Sequence, residues 1–346
     1  SMLVDAGLDP SVIIGATYSK LEKGNLTPAQ EIGAGFRMGA NVIPRGGQAG
    51  KPGVLVADAC EYNRSFHNFR PTLACITSVE ADHMDCYGSI DEIVQSFRDA
   101  LSGLGIKAPF FISQNDGTLM SADFVEKYPV LTFASGPTNS MRGAAFLSGL
   151  KDAVVVDIGG TTSDVGVLVN GFPREASVAV RIGGVRTNFR MPDVLSFGLG
   201  GGSYVKTSPL HVGPQSVGYE ITSRALVFGG SDLTTTDIAV AAGMAQVGDA
   251  SRVQQLDKEL VAATVARMAE MIEVSVDRVK TAPGAVPVIL VGGGIILVGD
   301  SLNGVSALHR PDHAPVANAI GAAIAQVGGE VDRVFSLDAV PREQAL

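Results

Sequence analysis

Residues 154–169 read VVVDIGGTTSDVGVLV, two runs of β-branched residues held apart by a knot of glycine, threonine, serine and aspartate. Runs of this kind favour extended strands. Between them, Gly159 and Gly160 permit a reversal that residues carrying a Cβ resist. The stretch therefore reads as a hairpin in which Asp157 ends the first strand and Thr161, Thr162 and Ser163 offer hydroxyls beside unpaired backbone N–H groups. That is a cradle for an anion. Asp157 or Asp164 would hold a water of a hydrated magnesium ion, which prefers oxygen ligands and needs only one or two carboxylates. A glycine-rich turn with solvated aspartates explains the same residues equally well at this point.

Two further turns work the same way. PVILVGGGIILV at 287–298 sets Gly292, Gly293 and Gly294 at the end of an apolar strand, where bare backbone lets a flat ligand approach. LGGGSYV at 199–205 repeats the arrangement. Either triple glycine alone also fits tight strand packing, but the three turns together suggest one nucleotide-sized cleft.

The rest of the chain supplies an α/β frame. Its 346 residues suffice for two domains, and 46% hydrophobic residues with 42 glycines suit many strand-to-helix turns. A formal charge of −9 argues against nucleic acid and anionic membranes as partners and favours small molecules. The best apolar run, at 287–299, is short and broken by glycines, so no membrane span is expected. The opening SMLVDAGLDP has no basic region followed by an apolar one, and cytoplasm is the expectation. Cys60, Cys75 and Cys86 are odd in number and lack metal-ligand spacing, which fits reduced thiols.

All three cysteines precede residue 90, and the character of the chain changes at about 106. Before it, 53–59 and 72–79 read as buried parallel strands, 22–52 as a turn-rich connection, and 89–105 as a helix capped by Ser89 and Glu92 and ended by Gly103 or Gly105. After 106 the sequence reads as strands at APFFIS, PVLTFAS, AVVVDIG, VGVLVNG, ASVAVRIG and PVILVGGG. Helices follow at about 254–280 and at 314–327.

SQNDGTLMS at 113–121, FASGPTNSMRGAAFLSG at 133–149, the hairpin at 154–173, RIGGVRTNFRMPDVLSFGLGGGS at 181–203 and GPQSVGYE at 213–220 closely resemble the hydantoinase/oxoprolinase family. LTTTDIAVAAG at 233–243, VPVILVGGG at 286–294 and 313–337 extend the resemblance over roughly 105–346. That family is similar in fold to actin, Hsp70 and the sugar kinases, whose ribonuclease-H-like domains close over ATP. The resemblance implies that Gly159, Gly160, Thr161, Thr162 and Ser163 form a phosphate loop, that Gly292–Gly294 contact adenosine, and that Asp157 and Asp164 serve the chemistry. It also implies a second hairpin of the form DxGGTxTD in an opposing jaw; 1–110 contains no copy, so weak nucleotide binding is expected.

The segment VLVADACEYNRSFHNFRPTLACITSVEADHMDCYGSIDEIVQSFRDAL at 54–101 resembles the Mur ligases, most closely the type that joins L-alanine to UDP-N-acetylmuramate. LVDAGLDPSVIIGA at 3–16 supports this. By that resemblance His83 takes a magnesium-ligand position, with Asp58 and Glu61 as the acidic pair. The ligases' GxxxxGK[ST] loop is absent, since GGQAGKPG at 46–53 lacks its spacing and its final hydroxyl.

The expectation is thus a chain of two α/β parts, a partial Mur-ligase-like parallel segment at 1–104 and a ribonuclease-H-like part at 105–346, joined as a chimera. The function implied is ATP- and magnesium-dependent opening of a cyclic amide, incomplete in one chain. Ligase chemistry and a non-catalytic binding role are the alternatives, and a homo-oligomer and a partner subunit are both left open.

Overall fold

The computed structural model describes residues 90–103 and 110–328, without 177–179, 183–184, 187–190 and 282, together with Ala49 and three short strands. Those strands are β1 (Ser11–Ile13), β2 (Phe36–Arg37) and β3 (Leu55–Ala57), ordered β2-β1-β3 with β1 parallel to β3. Asp58, Glu61, His83, the three cysteines and the strand expected at 72–79 lie outside the described residues.

Helix α1 (Ile90–Gly103) falls within the stretch at 89–105 that the sequence assigned to a helix. It packs Val94 and Phe97 against the hairpin of β4 (Phe111–Ser113) and β5 (Leu119–Ser121) and the short α2 (Ala122–Lys127), around Ile112, Met120 and Val125. PVLTFAS is no strand, which corrects the sequence reading. Pro129 lacks an N–H for a ladder, Pro129–Thr132 close into a 3-10 turn with the Thr132 hydroxyl donating to the Pro129 carbonyl, and Ser135 opens the next helix.

The main sheet follows. Helix α3 (Ser135–Ser148) leads into β6 (Ala153–Ile158), β7 (Ser163–Val169) and β8 (Phe172–Pro173). A small pair, β9 (Arg181–Ile182) and β10 (Val185–Arg186), precedes β11 (Val194–Phe197) and the hairpin β12 (Ser203–Thr207) and β13 (Leu210–Ser216). Then come α4 (Thr235–Ala241), α5 (Lys258–Val279), β14 (Val286–Val291), β15 (Val305–His309) and α6 (Ala317–Ile324). The strand order is β11-β7-β6-β14-β15, antiparallel across β11, β7 and β6 and parallel across β6, β14 and β15. This is the ribonuclease-H-like α/β arrangement.

Strand β6 is buried on both faces, which is why it reads as an unbroken apolar run. Val154, Val156 and Ile158 face α4 and α5, where Met268, Ile272 and Val276 recur at four-residue spacing. Ala153 and Val155 face α3 and α6 with Met141 and Ala144. Burying a side chain such as Ile272 contributes about 1.5–3 kcal/mol. Helix α5 starts at Lys258, later than 254, because the Asp257 carboxylate accepts from the Glu259 and Leu260 amides. Helix α6 ends at Ile324, short of 327, and the chain returns to β5: the Leu119 amide donates to the Gln326 carbonyl (2.8 Å) and the Gly328 amide to the Leu119 carbonyl (3.0 Å). Among the described residues no helix is long and apolar enough to cross a membrane.

Candidate functional site

The β6–β7 hairpin forms in the expected register, with Asp157 opposite Asp164 and Ile158 opposite Ser163. The Gly159 amide closes the turn on the Thr162 carbonyl at 2.9 Å. Gly160, Thr161 and Thr162 are exposed, and their amides donate to no protein acceptor among the described residues. Successive unpaired amides at a turn are the donors an anion needs. Ser163 departs from the expectation. It is fully buried and its hydroxyl donates to the Leu199 carbonyl at 2.6 Å, because residue 163 already belongs to the strand and its side chain points into the sheet.

The three glycine turns meet, each with a different part. Gly201 and Gly202 donate from their amides to the Gly159 and Gly160 carbonyls (3.0 and 2.7 Å), and a Cβ on Gly200 would lie 2.4 Å from the Thr161 nitrogen. LGGGS therefore supports the turn from behind, held in its own place by the Thr235 and Thr236 hydroxyls, which donate to the Gly201 carbonyl (2.9 and 2.8 Å). Those threonines open α4, whose capping box pairs Thr234 with the buried Asp237; Asp237 accepts from the Thr234 amide at 2.7 Å and also from the Val227 amide at 2.8 Å.

In the third turn, Gly292 sits at φ 88°, ψ 164°, a region open essentially to glycine alone, and a Cβ there would lie 2.3 Å from both Asp157 Oδ1 and the Ile158 carbonyl. Gly294 is buried against Ile158 and Gly159. Gly293 differs from both. Like Gly160 it is exposed, has no positive φ, and has no atom within 4 Å of where a Cβ would stand. Packing does not require glycine at 160 or 293.

Burial pushes the Asp157 carboxyl above the ordinary carboxylate value; the Ser140 hydroxyl, donating to it, opposes the shift, and the negative charge of Asp164 adds to it. Burial also raises Asp164, against the hydrogen bond donated by Ser196 on β11. Two carboxylates side by side at a strand end, next to the unpaired amides, are a hard-oxygen pair that suits a magnesium ion retaining most of its waters. Among the described residues no cluster of three His, Cys, Asp or Glu stands ready to hold a metal directly. Sequence reasoning missed Ser140, Ser196, Thr235 and Thr236. The unusual density of hydroxyls in SGPTNS and LTTTD hinted at Ser140, Thr235 and Thr236, while Ser196 carried no such signal.

The sequence profile of the hydantoinase/oxoprolinase family matches residues 79–289, well over half of the chain. The chain belongs to the hydantoinase/oxoprolinase family. Its match begins ahead of residue 105 and takes in α1. Similar curated proteins are of two kinds. The acetophenone carboxylase gamma subunit of Aromatoleum aromaticum is 32% identical over 152 residues, covering 42% of this chain and 20% of that protein. The UDP-N-acetylmuramate–L-alanine ligase of Lachnospira eligens is 29% identical over 153 residues, covering 42% of this chain and 27% of that protein. The chain thus spans about a quarter or less of either relative's length.

Two solved structures share the hydantoinase/oxoprolinase chain's fold. Nucleotide-free acetone carboxylase superposes with a TM-score of 0.55 at 18% identity, covering 79% of this chain and 42% of that one. The ATP-dependent caprolactamase of Pseudomonas jessenii gives 0.53 at 18% identity, covering 80% and 44%.

Proposed function

We propose that the chain supplies one phosphate-holding wall of an ATP- and magnesium-dependent hydrolase acting on cyclic amides in the cytoplasm. The observation that carries this reading is the pairing of three unpaired amides at Gly160–Thr162 with two glycines, Gly160 and Gly293, whose missing side chains leave open space that no protein atom fills. Backbone donors at 160–162 would take the phosphoryl oxygens, the bare edge at Gly293 would pass the nucleoside, and Asp157 with Asp164 would hold the waters of magnesium. Family membership supports ATP use, and the caprolactamase acts, by its name, on a lactam.

The chemistry follows from the inertness of an amide. Transfer of the γ-phosphoryl group to the amide oxygen, with ADP leaving, makes the carbonyl carbon electrophilic; water adds there, the ring C–N bond breaks with the nitrogen taking a proton, and a second water cleaves the resulting acyl phosphate to carboxylate and phosphate. Magnesium, when bound, neutralises phosphate charge. The roles of Asp58, Glu61 and His83 as a second magnesium site, and a boundary between two units near residue 104, belong to the same proposal. A partner subunit is part of it as well, since one relative is named as a subunit. Binding without turnover is the second reading, favoured by the single DIGGTTSD hairpin in the sequence.

Phosphate release from ATP and magnesium, with and without hydantoin or 5-oxoproline, tests the first reading. Release stimulated by the cyclic amide and lost in Asp157→Ala supports it. Calorimetric ATP binding with no release in either condition supports the second, and no binding refutes both.

A further inference from the structure

A trans peptide group points its carbonyl and its N–H in opposite directions, so whatever holds the carbonyl aims the amide. Among the described residues the cis bonds are Ser208–Pro209 and Gly213–Pro214, so the peptide groups of the hairpin turn and of LGGGS are trans. Two carbonyls of the hairpin turn are held from behind. That of Gly159 accepts from the Gly201 amide at 3.0 Å, and that of Gly160 accepts from the Gly202 amide at 2.7 Å and from the Ser216 hydroxyl at 3.4 Å. The N–H groups belonging to these same two peptide groups are those of Gly160 and Thr161. Both therefore face away from LGGGS, and both residues are exposed. Gly200 lies flat against the second peptide group: a Cβ there would stand 2.4 Å from the Thr161 nitrogen and 2.5 Å from the Gly160 carbonyl carbon.

The Gly201 and Gly202 amides are aimed in turn by what holds the Gly200 and Gly201 carbonyls. The Thr235 hydroxyl shares its hydrogen between those two carbonyls. The Gly201 carbonyl also accepts from the Thr236 hydroxyl at 2.8 Å and from the Thr236 amide at 3.1 Å. Two parallel relays result. One runs from Thr235 through the peptide groups 200–201 and 159–160 to the Gly160 amide. The other runs from Thr236 through 201–202 and 160–161 to the Thr161 amide. Hydrogen bonds in series polarise one another, so each outer amide becomes a better donor. Thr235 is fully buried and Thr236 is 4% exposed, which leaves neither side chain free to touch a ligand. The Thr162 amide lies on no such relay, since no donor among the described residues holds the Thr161 carbonyl.

We propose that Thr235 and Thr236 are positioning residues for the anion cradle, acting through LGGGS to aim the Gly160 and Thr161 amides at one phosphoryl group. This inference rests on the proposed nucleotide site. It divides the three exposed amides: Gly160 and Thr161 carry the tight contact, and Thr162 contributes less. It also gives the hydroxyls of LTTTD a purpose beyond starting α4. Without the Thr235 hydroxyl the Gly200 carbonyl has no donor, the peptide group 200–201 turns, and the Gly159 carbonyl loses the Gly201 amide that faces it.

The test uses the whole chain with Thr235→Val, which keeps the shape and removes the hydroxyl, Thr235→Ser, which keeps the hydroxyl, and Ile272→Val, which weakens the core away from the relays. Thr235→Ala replaces Thr235→Val if the latter does not melt cooperatively. Two quantities are measured: the orientation of peptide groups 159–160 and 160–161 in crystals grown without nucleotide, and ATP affinity by calorimetry below the melting range. Thr235→Val should show a turned peptide group and about a tenfold loss of ATP affinity, the effect of one misdirected donor to a charged group. Thr235→Ser should match the parent in both, and Ile272→Val should bind as the parent does however much it is destabilised. Peptide groups that stay in place in Thr235→Val overturn the proposal, as does an unchanged affinity, an unrescued loss in Thr235→Ser, or an equal loss in Ile272→Val. If the parent chain binds no ATP, the proposed function fails, while the crystal orientations still judge the relays.

Discussion

Gly292 and Gly293 are adjacent, and replacing each by alanine should have opposite effects. At Gly292 the backbone lies at φ 88°, ψ 164°, and the new methyl carbon would stand 2.3 Å from Asp157 Oδ1 and from the Ile158 carbonyl oxygen. The backbone strain alone costs about 1–3 kcal/mol, and the overlap adds to it because one of the two atoms is main chain. With about 2–4 °C of melting temperature per kcal/mol for a unit of this size, Gly292→Ala should melt roughly 2–12 °C below the parent. At Gly293 nothing stands within 4 Å of the new carbon and φ is ordinary. Restricting the unfolded chain then contributes about 0.4–1 kcal/mol in favour of folding, so Gly293→Ala should melt at or slightly above the parent. Its methyl group, however, occupies the space proposed for the nucleoside, and ATP affinity should fall about tenfold or more. Calorimetric titration with ATP beside thermal melts of both variants is the assay. Unchanged ATP binding by Gly293→Ala refutes the ligand-facing role of that glycine, and a parent-like melt of Gly292→Ala refutes the packing argument.

Three further outcomes are expected. Burial raises the Asp157 and Asp164 carboxyls, so the folded chain holds protons that the unfolded chain releases; their contribution to stability is full below the ordinary carboxylate value of 3.8 and is lost as pH rises through the raised folded values. Asp157→Asn should accordingly flatten the decline of stability above pH 3.8, and denaturant melts across pH with an unchanged slope in the variant contradict this. Asp237→Ala strips the acceptor from two buried amides and a threonine hydroxyl, and should cost about 2–4 kcal/mol in urea unfolding; a loss below about 1 kcal/mol sinks the capping account. Limited proteolysis should cut first at 102–108 if two units meet near 104, and resistance there with cuts elsewhere removes the boundary.

The hairpin was readable because its signals are local: β-branched strands, then two glycines, in a span of sixteen residues. The same local logic located α1, α5 and the strand before Gly292–Gly294. PVLTFAS misled because its apolar content matches a buried strand, while Pro129 and the start of α3 at Ser135 decide the structure instead. Ser163 misled for a different reason. Motif spacing does not show on which side of the strand boundary a hydroxyl falls. The division of labour among the three glycine turns was hidden as well, since LGGGS and VGGG look alike in sequence and differ only in what lies behind each Cβ. Ser140 was invisible because its partner comes from a neighbouring element in a long-range packing that no window of sequence contains.

The return of the chain after α6 to β5 has a consequence for how such a unit travels between proteins. Leu119 binds residues on both sides of Val327 by backbone hydrogen bonds, so the segment ahead of α3 and the segment after α6 lie side by side. A unit whose two ends meet at one spot behaves as a cassette: a host chain can enter and leave through the same opening without spanning the fold. Its sheet order, its glycine turns and its helix pair then pass intact into a new context, and what changes is only the neighbour placed across the cradle.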